Sequence, residues 1–155
     1  MNTRTLKKQL RYIVPEIRLA LIKENGCKSV AIGCPEDIEQ FVEPMRYLDR
    51  ENFVAFHLTA KNEVSGVNVV SQGTVSSSLV HPREVFKAAI LNNASAIIVA
   101  HNHPAGSLTP STEDLEVTET LIKAGKLLGV PVLDHVIVAS TGIYSLRENY
   151  AHLWG

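Results

Sequence analysis

Three side chains of types that bind metal ions occur within one short stretch, HNHPAGSLTPSTED, at residues 101–114. His101 and His103 stand one residue apart, and Asp114 follows in the same stretch. In an extended segment, residues i and i+2 point the same way, so both imidazoles can converge on one point. Two imidazole nitrogens and one carboxylate oxygen suit zinc, although iron or manganese could occupy the same set. Three ligands with one open position are typical of a catalytic zinc site, because structural sites are closed by four protein ligands.

A second interpretation of Asp114 requires no metal. Ser111 and Asp114 form an S-x-x-D pattern, which is close to a capping box with Ser111 as the N-cap of a helix. A carboxylate in the first turn of a helix is also stabilised by the helix dipole. The stretch therefore indicates either a metal site or a polar loop followed by an ordinary helix start.

The elements around this stretch favour the metal interpretation. The segment 95–100, SAIIVA, is continuously apolar, as in a strand that is covered on both faces. A helix is predicted at about 112–128, ended by Gly129 and Pro131, and a second buried strand at 132–139. This order predicts a right-handed βαβ crossover with parallel strands. Open α/β sheets bind ligands at the carboxyl ends of their strands, where the two histidines and the helix start are expected.

The rest of the chain predicts a mixed β-sheet flanked by helices, which is an α/β (α+β) fold. NFVAFHLTA and VSGVNVVSQGT flank KNE and predict an antiparallel hairpin. Pro35 begins a helical pattern that Pro44 interrupts, so two short helices or a kink are expected there. IYSL predicts a short last strand, and IRLALIKE (17–24) a strand or a helix. A helix is predicted at 81–93, with an apolar face of Val85, Phe86, Ala89 and Ile90.

Length and composition suit one folded domain. The chain has 155 residues, 45% of them apolar and 20% charged, with a mean hydropathy of +0.06. No apolar run approaches the roughly 20 residues that a membrane helix requires, and no secretory signal pattern opens the chain. Cys27 and Cys34 form neither a CxxC pair nor a disulfide framework. Such cysteine usage is typical of a reducing compartment, so we expect a cytoplasmic protein.

Charge divides the chain into two parts. Residues 1–30 carry a net charge of +5 and residues 31–155 a net charge of −6. We therefore expect a basic N-terminal arm with a possible first strand at 1–30, and the functional domain at 31–155. The domain lacks the bulk attraction for phosphate that dominates non-specific nucleic-acid binding. The basic opening is best interpreted as a solvated arm, although contact with nucleic acid or an acidic partner stays open.

Two other classes of protein do not fit these residues. The letters HNH resemble the name of a nuclease class, but that class takes those residues from separate points of a ββα-metal unit. Zinc nucleoside deaminases require H-x-E followed by P-C-x-x-C, and this chain has no such cysteine pair.

At residues 101–114 the chain resembles the JAMM (MPN+) metalloprotease motif, H-x-H-P-x(6)-S-x-x-D with a glutamate far upstream. More closely it resembles the RadC-like JAB domain branch, through SQGTVSSSLVHPREVFKAAILNNASAIIVAHNHPAGSLTPSTED and LLGVPVLDHVIVA. The resemblance covers roughly residues 35–147. It implies a three-layer, JAB/MPN-like (cytidine-deaminase-like) domain.

The resemblance also implies a role for each matching residue. His101, His103 and Asp114 match the zinc ligands, with one Zn²⁺ per chain. Ser111 matches the serine that helps stabilise a tetrahedral oxyanion. Glu51 in DRENFVAFHL occupies the place of the upstream general base.

The implied activity is hydrolysis of a peptide or isopeptide bond by a zinc-activated water, on a peptide or protein substrate. A rival for the base is Glu63 in the hairpin tip KNE. The alternative function is a DNA-repair-associated or non-catalytic JAB scaffold that binds a protein or nucleic-acid partner. Longer RadC-type proteins carry a helix-hairpin-helix-like region before the JAB domain. We expect no room for that region here, and so no DNA association through it.

Four further residues are not assigned to the site. Asp134 and His135 lie on the predicted strand next to 95–100, where they either orient a ligand or form a satisfied buried pair. His81 and Arg83 are interpreted as the start of a helix.

Overall fold

A computed structural model describes residue 8, residues 29–73 and residues 80–155. The basic arm expected at 1–30 therefore lies almost wholly outside the described residues, as does the element expected at 17–24. Their structure, and the domain boundary at residue 30, stay predictions.

A five-stranded mixed sheet forms the centre of the described part, in the order β2-β1-β3-β4-β5. Only β3 and β4 are parallel neighbours; every other neighbouring pair is antiparallel. The expected hairpin and the parallel pairing of the two crossover strands are thus confirmed, whereas the right hand of the crossover stays a prediction. The strands are β1 (Glu51–Leu58), β2 (Val64–Gly73), β3 (Ala96–Asn102), β4 (Val132–Ala139) and β5 (Gly142–Ser145).

The central strand β3 extends beyond its apolar run. All seven of its residues are buried, and its pairing continues from His101 opposite Ile137 to Asn102 opposite Val138. The strand predicted from the sequence ended at residue 100. This end was wrong, because a hydropathy pattern registers the polar side chains of His101 and Asn102 and not the backbone hydrogen bonds that continue through them. His101 therefore belongs to the strand itself, and His103 is the first residue beyond Asn102.

The helices are short in the N-terminal half and long near the site. Among the described residues, no helix has the length and apolar character that crossing a bilayer requires. The break expected at Pro44 is confirmed, since this proline lies in a separate 3-10 turn, Glu43–Met45. The α-helices are α1 (Glu39–Val42), α2 (Pro82–Leu91), α3 (Thr112–Leu128) and α4 (Leu146–Asn149), and the other 3-10 turns are Pro35–Ile38 and Ala151–Trp154.

Helix α3 ends and packs as its glycines require. Gly129 caps it with a φ of 73°, in the left-handed region where glycine carries no steric cost. Within the helix, a Cβ on Gly125 would lie 2.6 Å from the carbonyl oxygen of Val130. The absence of a side chain at residue 125 thus lets α3 approach the start of β4.

Apolar cores on both faces of the sheet give the expected three layers. One core joins the sheet to α2 and α3 through residues such as Phe53, Phe86 and Leu121. The other joins the opposite face to the N-terminal short helices through residues such as Ile38 and Phe56.

The predicted apolar face of α2 needs one correction. Val85, Phe86 and Ala89 are buried, but Ile90 is 51% exposed. Ile90 lies about 100° around the helix from Ala89, at the rim of the buried stripe.

Candidate metal centre

The end of β3 and the first turn of α3 bring the three predicted ligands together. His101 Nε2 lies 3.1 Å from Asp114 Oδ1, and His103 Nε2 lies 3.3 Å from Asp114 Oδ2. The two Nε2 atoms are 2.8 Å apart. All three side chains present one donor atom within 4.8 Å of one another. The role of these residues as zinc ligands stays a prediction.

The donor atoms have the chemistry and spacing of a metal site. His103 Nδ1 lies 2.7 Å from the carbonyl oxygen of Ser107, which only accepts hydrogen bonds, so Nδ1 carries the proton. His103 Nε2 therefore points a lone pair at the Asp114 carboxylate, which also offers only lone pairs. A cation stabilises such an arrangement. Tetrahedral zinc with bonds of about 2.0–2.1 Å would hold its ligand atoms about 3.3 Å apart, which is close to the two histidine–carboxylate distances, whereas the two Nε2 atoms, at 2.8 Å, would have to separate slightly. The residues present thus fit zinc.

Charge at this cluster is concentrated on Asp114, whose side chain is almost fully buried. Burial alone would raise the pKa of this carboxyl. Its contacts with the imidazoles of His101 and His103, where a proton takes the place of a metal, outweigh burial and hold the pKa far below its ordinary value. In return, the hydrogen bond to Asp114 raises the pKa of His103, and the charge of Glu51 adds to that effect. The cluster is therefore an anionic site that attracts either a proton or a metal ion.

Zinc affinity is expected to fall on acidification. His103 must be neutral to bind a metal, and its raised pKa lets protons compete at a higher pH than they would at an ordinary histidine. Below that pKa, affinity should decrease by up to about tenfold per pH unit, whereas above it affinity should level off. Chelator competition near pH 8 and near pH 6 measures the change. Equal affinities, after correction for the chelator's own protonation, would contradict this account of His103.

Asp114 is also part of a helix cap, so both interpretations of the S-x-x-D pattern apply to one residue. The backbone N–H of Ser111 donates to Asp114 Oδ2 at 2.8 Å, and the N–H of Asp114 donates to Ser111 Oγ at 3.1 Å. This reciprocal pair is the capping box of α3. The cap holds the carboxylate in the orientation that directs it at the two histidines.

Glu51 lies at the same end of the sheet as the cluster. It is the half-buried first residue of β1, and the antiparallel register that pairs Phe53 with His101 carries Glu51 toward His103. Glu51 and Phe53 share one face of the strand, and the Phe53 ring stacks on His101 with centroids 6.1 Å apart. Glu51 is thus on the face that carries His101.

The rival glutamate lies far from the cluster. Glu63 is in the hairpin turn, beyond the other end of β1, where its backbone forms an isolated antiparallel β-bridge with Ala31. The eight residues of β1 span roughly 23 Å between their ends at the usual rise of a strand. Of the two glutamates, the structure therefore places only Glu51 beside the predicted ligands.

Asn102, to which the sequence analysis assigned no role, connects the two strands of the site. It is 1% exposed. Its Oδ1 accepts from the backbone N–H of Asn52 at 2.8 Å, and its Nδ2 donates to the carbonyl of Arg50 at 2.9 Å. These bonds hold the residues on either side of Glu51 against β3. The sequence carried one signal of a separate role for Asn102. In the extended segment HNH, the side chain of the middle residue points to the face opposite the two histidines.

Asp134 and His135 are neighbours in β4, but their side chains lie in different environments. His135 is fully buried, and its Nε2 lies 2.7 Å from His101 Nδ1. Burial lowers the pKa of His135 well below its ordinary value. Asp134 faces the other way, where it accepts from Ser145 Oγ at 2.6 Å and from the N–H of Arg147 at 3.0 Å. Only His135 therefore touches a predicted ligand.

His81 and Arg83 occupy the helix start that was expected for them. His81 is the N-cap of α2. The Arg83 guanidinium is largely exposed and lies 3.8 Å from the carboxylate of the neighbouring Glu84.

Comparison with known proteins places this site within a family. The sequence profile of the RadC-like JAB domain matches residues 32–151. A UPF0758 protein of Desulfitobacterium hafniense is 52% identical over 142 residues, which cover 86% of this chain and 62% of that protein. UPF0758 proteins of Caldanaerobacter subterraneus and Geobacillus kaustophilus are 48% and 45% identical, with 86% and 82% of this chain and 58% and 57% of theirs covered. The chain thus spans about three fifths of the length of these relatives. It belongs to the RadC-like JAB domain family.

Proposed function

We propose that this protein is a zinc-dependent hydrolase of the JAMM type that cleaves a peptide or isopeptide bond. The observation that carries the proposal is the convergence of His101 Nε2, His103 Nε2 and the Asp114 carboxylate at the end of the sheet where Glu51 begins β1. Membership of the JAB domain family is compatible with a hydrolase. The names of the relatives state no activity, so the support comes from the geometry of the site.

His101, His103 and Asp114 would hold the zinc. When bound, this ion would supply a water of lowered pKa and polarise the carbonyl of the substrate. Glu51 would accept the proton of the attacking water and deliver it to the departing amine nitrogen. The position of Glu51 near His103, on the face that carries His101, supports this assignment.

Ser111 would stabilise the oxyanion that forms when water attacks the carbonyl. Its Oγ accepts the N–H of Asp114, which uses a lone pair and leaves the hydroxyl proton to donate. Ser111 is exposed, so a substrate can reach that proton. Loss of one such donor typically costs about 100-fold or more in rate.

Removal of the metal is expected to abolish hydrolysis. The test uses a pool of internally quenched peptides, some joined through a lysine ε-amide, with zinc removed by chelation and then restored. A metal that polarises water and carbonyl supplies several kcal/mol, so its removal should slow cleavage at least about 100-fold. Zinc should restore the rate and magnesium should not. Cleavage at an unchanged rate in protein shown to be metal-free would refute the proposal.

The reducing cytoplasm is the compartment that we propose for this activity. Cys34 is an exposed free thiol, as is common where disulfides do not persist.

A further inference from the structure

We propose that His135 and Thr118 are positioning residues that fix the proton of His101 on Nδ1, so that Nε2 keeps the lone pair that a metal needs. The inference rests on the proposed function only in requiring that the cluster binds a metal. It does not depend on which bond is cleaved.

The side chains concerned form a continuous buried chain of hydrogen bonds. His101, His135 and Thr118 are each 0% exposed. His101 Nδ1 contacts His135 Nε2 at 2.7 Å, and His135 Nδ1 in turn contacts Thr118 Oγ1. Thr118 Oγ1 then lies 2.6 Å from the backbone carbonyl oxygen of Asp114. The chain therefore starts at one predicted ligand and ends at another.

The contact between Thr118 and Asp114 decides which atom donates and which accepts in each of these hydrogen bonds. Two oxygens 2.6 Å apart repel each other unless a hydrogen lies between them, and a carbonyl has none to give. The Thr118 hydroxyl must therefore donate its single hydrogen to Asp114. Its contact with His135 must then be a bond that His135 Nδ1–H donates.

The remaining proton is assigned by the charge of His135. A neutral imidazole with its hydrogen on Nδ1 has only a lone pair on Nε2. A second hydrogen there would make His135 a fully buried cation beside a metal ion, which is strongly unfavourable. His135 Nε2 thus accepts, and His101 Nδ1–H donates. His101 Nε2 thus keeps its lone pair on the side that faces Asp114 Oδ1. In the metal-free protein, the hydrogen between this atom and His103 Nε2, 2.8 Å away, then lies on His103.

Thr118 is needed because an imidazole, unlike a carbonyl, can reverse its hydrogen bonds. The partner of His103 is the Ser107 carbonyl, which accepts in every state. If the proton of His135 moved to Nε2, that nitrogen would donate to His101, and the proton of His101 would move to Nε2 and block the metal. The hydroxyl of Thr118 opposes this reversal by accepting from His135 Nδ1. Phe53 packs against both rings, with its centroid 6.1 Å from His101 and 5.4 Å from His135.

A pair of substitutions at Thr118 separates this role from packing. Thr118→Val keeps the volume but removes the hydroxyl, whereas Thr118→Ser keeps the hydroxyl but removes a methyl group. Zinc affinity is measured by competition with a chromophoric chelator near neutral pH, and folding by urea unfolding. Thr118→Val should weaken zinc binding about 10–100-fold, as loss of a ligand's outer partner typically does, and Thr118→Ser should bind as the wild type does. A role in packing alone predicts the opposite order, because only serine leaves a cavity.

The tautomers themselves give a second readout, which needs no metal. Nitrogen NMR of the imidazoles should show Nδ1–H on His101 and His135 in the metal-free wild type and in Thr118→Ser. In Thr118→Val it should show Nε2–H on His135.

Zinc binding by folded Thr118→Val that equals the wild type would overturn this inference and leave the proposed function intact. A wild type that bound no zinc would refute the proposed function. The spectra would then decide, with Nδ1–H on both rings supporting the inference and Nε2–H on either ring overturning it.

Discussion

Replacement of Glu51 by glutamine is expected to abolish hydrolysis while the metal stays bound. Glutamine keeps the size of the side chain, but its amide cannot take a proton from water near neutral pH. A positioned general base typically contributes about 10²–10⁴-fold, so kcat should fall by that amount. Glu51 is outside the cluster of three donor atoms, and zinc content should therefore not change. The measurement is kcat on a peptide that the wild type cleaves, with metal content determined on the same samples.

Glu63→Gln is the matched control for this experiment. It makes the same chemical change at the hairpin turn, beyond the far end of β1, and should leave both kcat and metal content unaltered. Cleavage by Glu51→Gln at the wild-type rate would exclude Glu51 as the base. Loss of activity in Glu63→Gln alone would transfer that role to the rival glutamate.

Asp114→Asn is expected to release the metal without removing the helix cap. The amide oxygen of asparagine still accepts the N–H of Ser111, as Asp114 Oδ2 does, but the negative charge that faces His101 and His103 is lost. Zinc affinity should fall by more than the roughly 10–100-fold that outer partners of a ligand contribute. The free energy of unfolding of the metal-free protein should fall only by what the lost contacts with His101 and His103 contribute, because the cap is kept and the roughly 0.5–2 kcal/mol that removal of a cap costs is not incurred. Chelator competition and urea unfolding measure the two quantities.

Ser111→Ala makes the opposite change at the same capping box. It removes the Oγ that accepts the N–H of Asp114, which typically costs about 0.5–2 kcal/mol of stability. The backbone N–H of residue 111 still orients the carboxylate, so zinc should stay bound. If Asp114→Asn retained zinc at wild-type affinity, Asp114 would be a capping residue and not a ligand.

Local patterns in the sequence were sufficient for most of the secondary structure. Alternation of β-formers predicted the hairpin, and an apolar run, a helix and a second apolar run predicted the crossover that joins β3 to β4. The i, i+2 spacing of His101 and His103 predicted their convergence, and it holds because His101 is in a strand and His103 directly follows it. Each of these inferences depends on residues that are near one another in the chain.

Contacts between distant segments were not encoded in any local pattern. Glu51 is beside the cluster because β1 pairs with β3, and in the sequence only a family resemblance pointed to this residue. Thr118 is one polar residue within an amphipathic helix, and nothing in that pattern indicates that its hydroxyl would meet His135. Asn102 was overlooked for the same reason, since its partners at Arg50 and Asn52 lie about fifty residues earlier.

The most direct test of the account is the metal content of the wild type and of His103→Ala, purified identically and measured by inductively coupled plasma mass spectrometry. His103 Nε2 is one of the three donor atoms that converge, so its loss leaves too few ligands for tight binding. We expect about one zinc per chain in the wild type and almost none in the variant. If both proteins were folded and equally free of metal after zinc had been supplied, residues 101–114 would be a polar loop and a helix cap. The protein would then not be a zinc hydrolase.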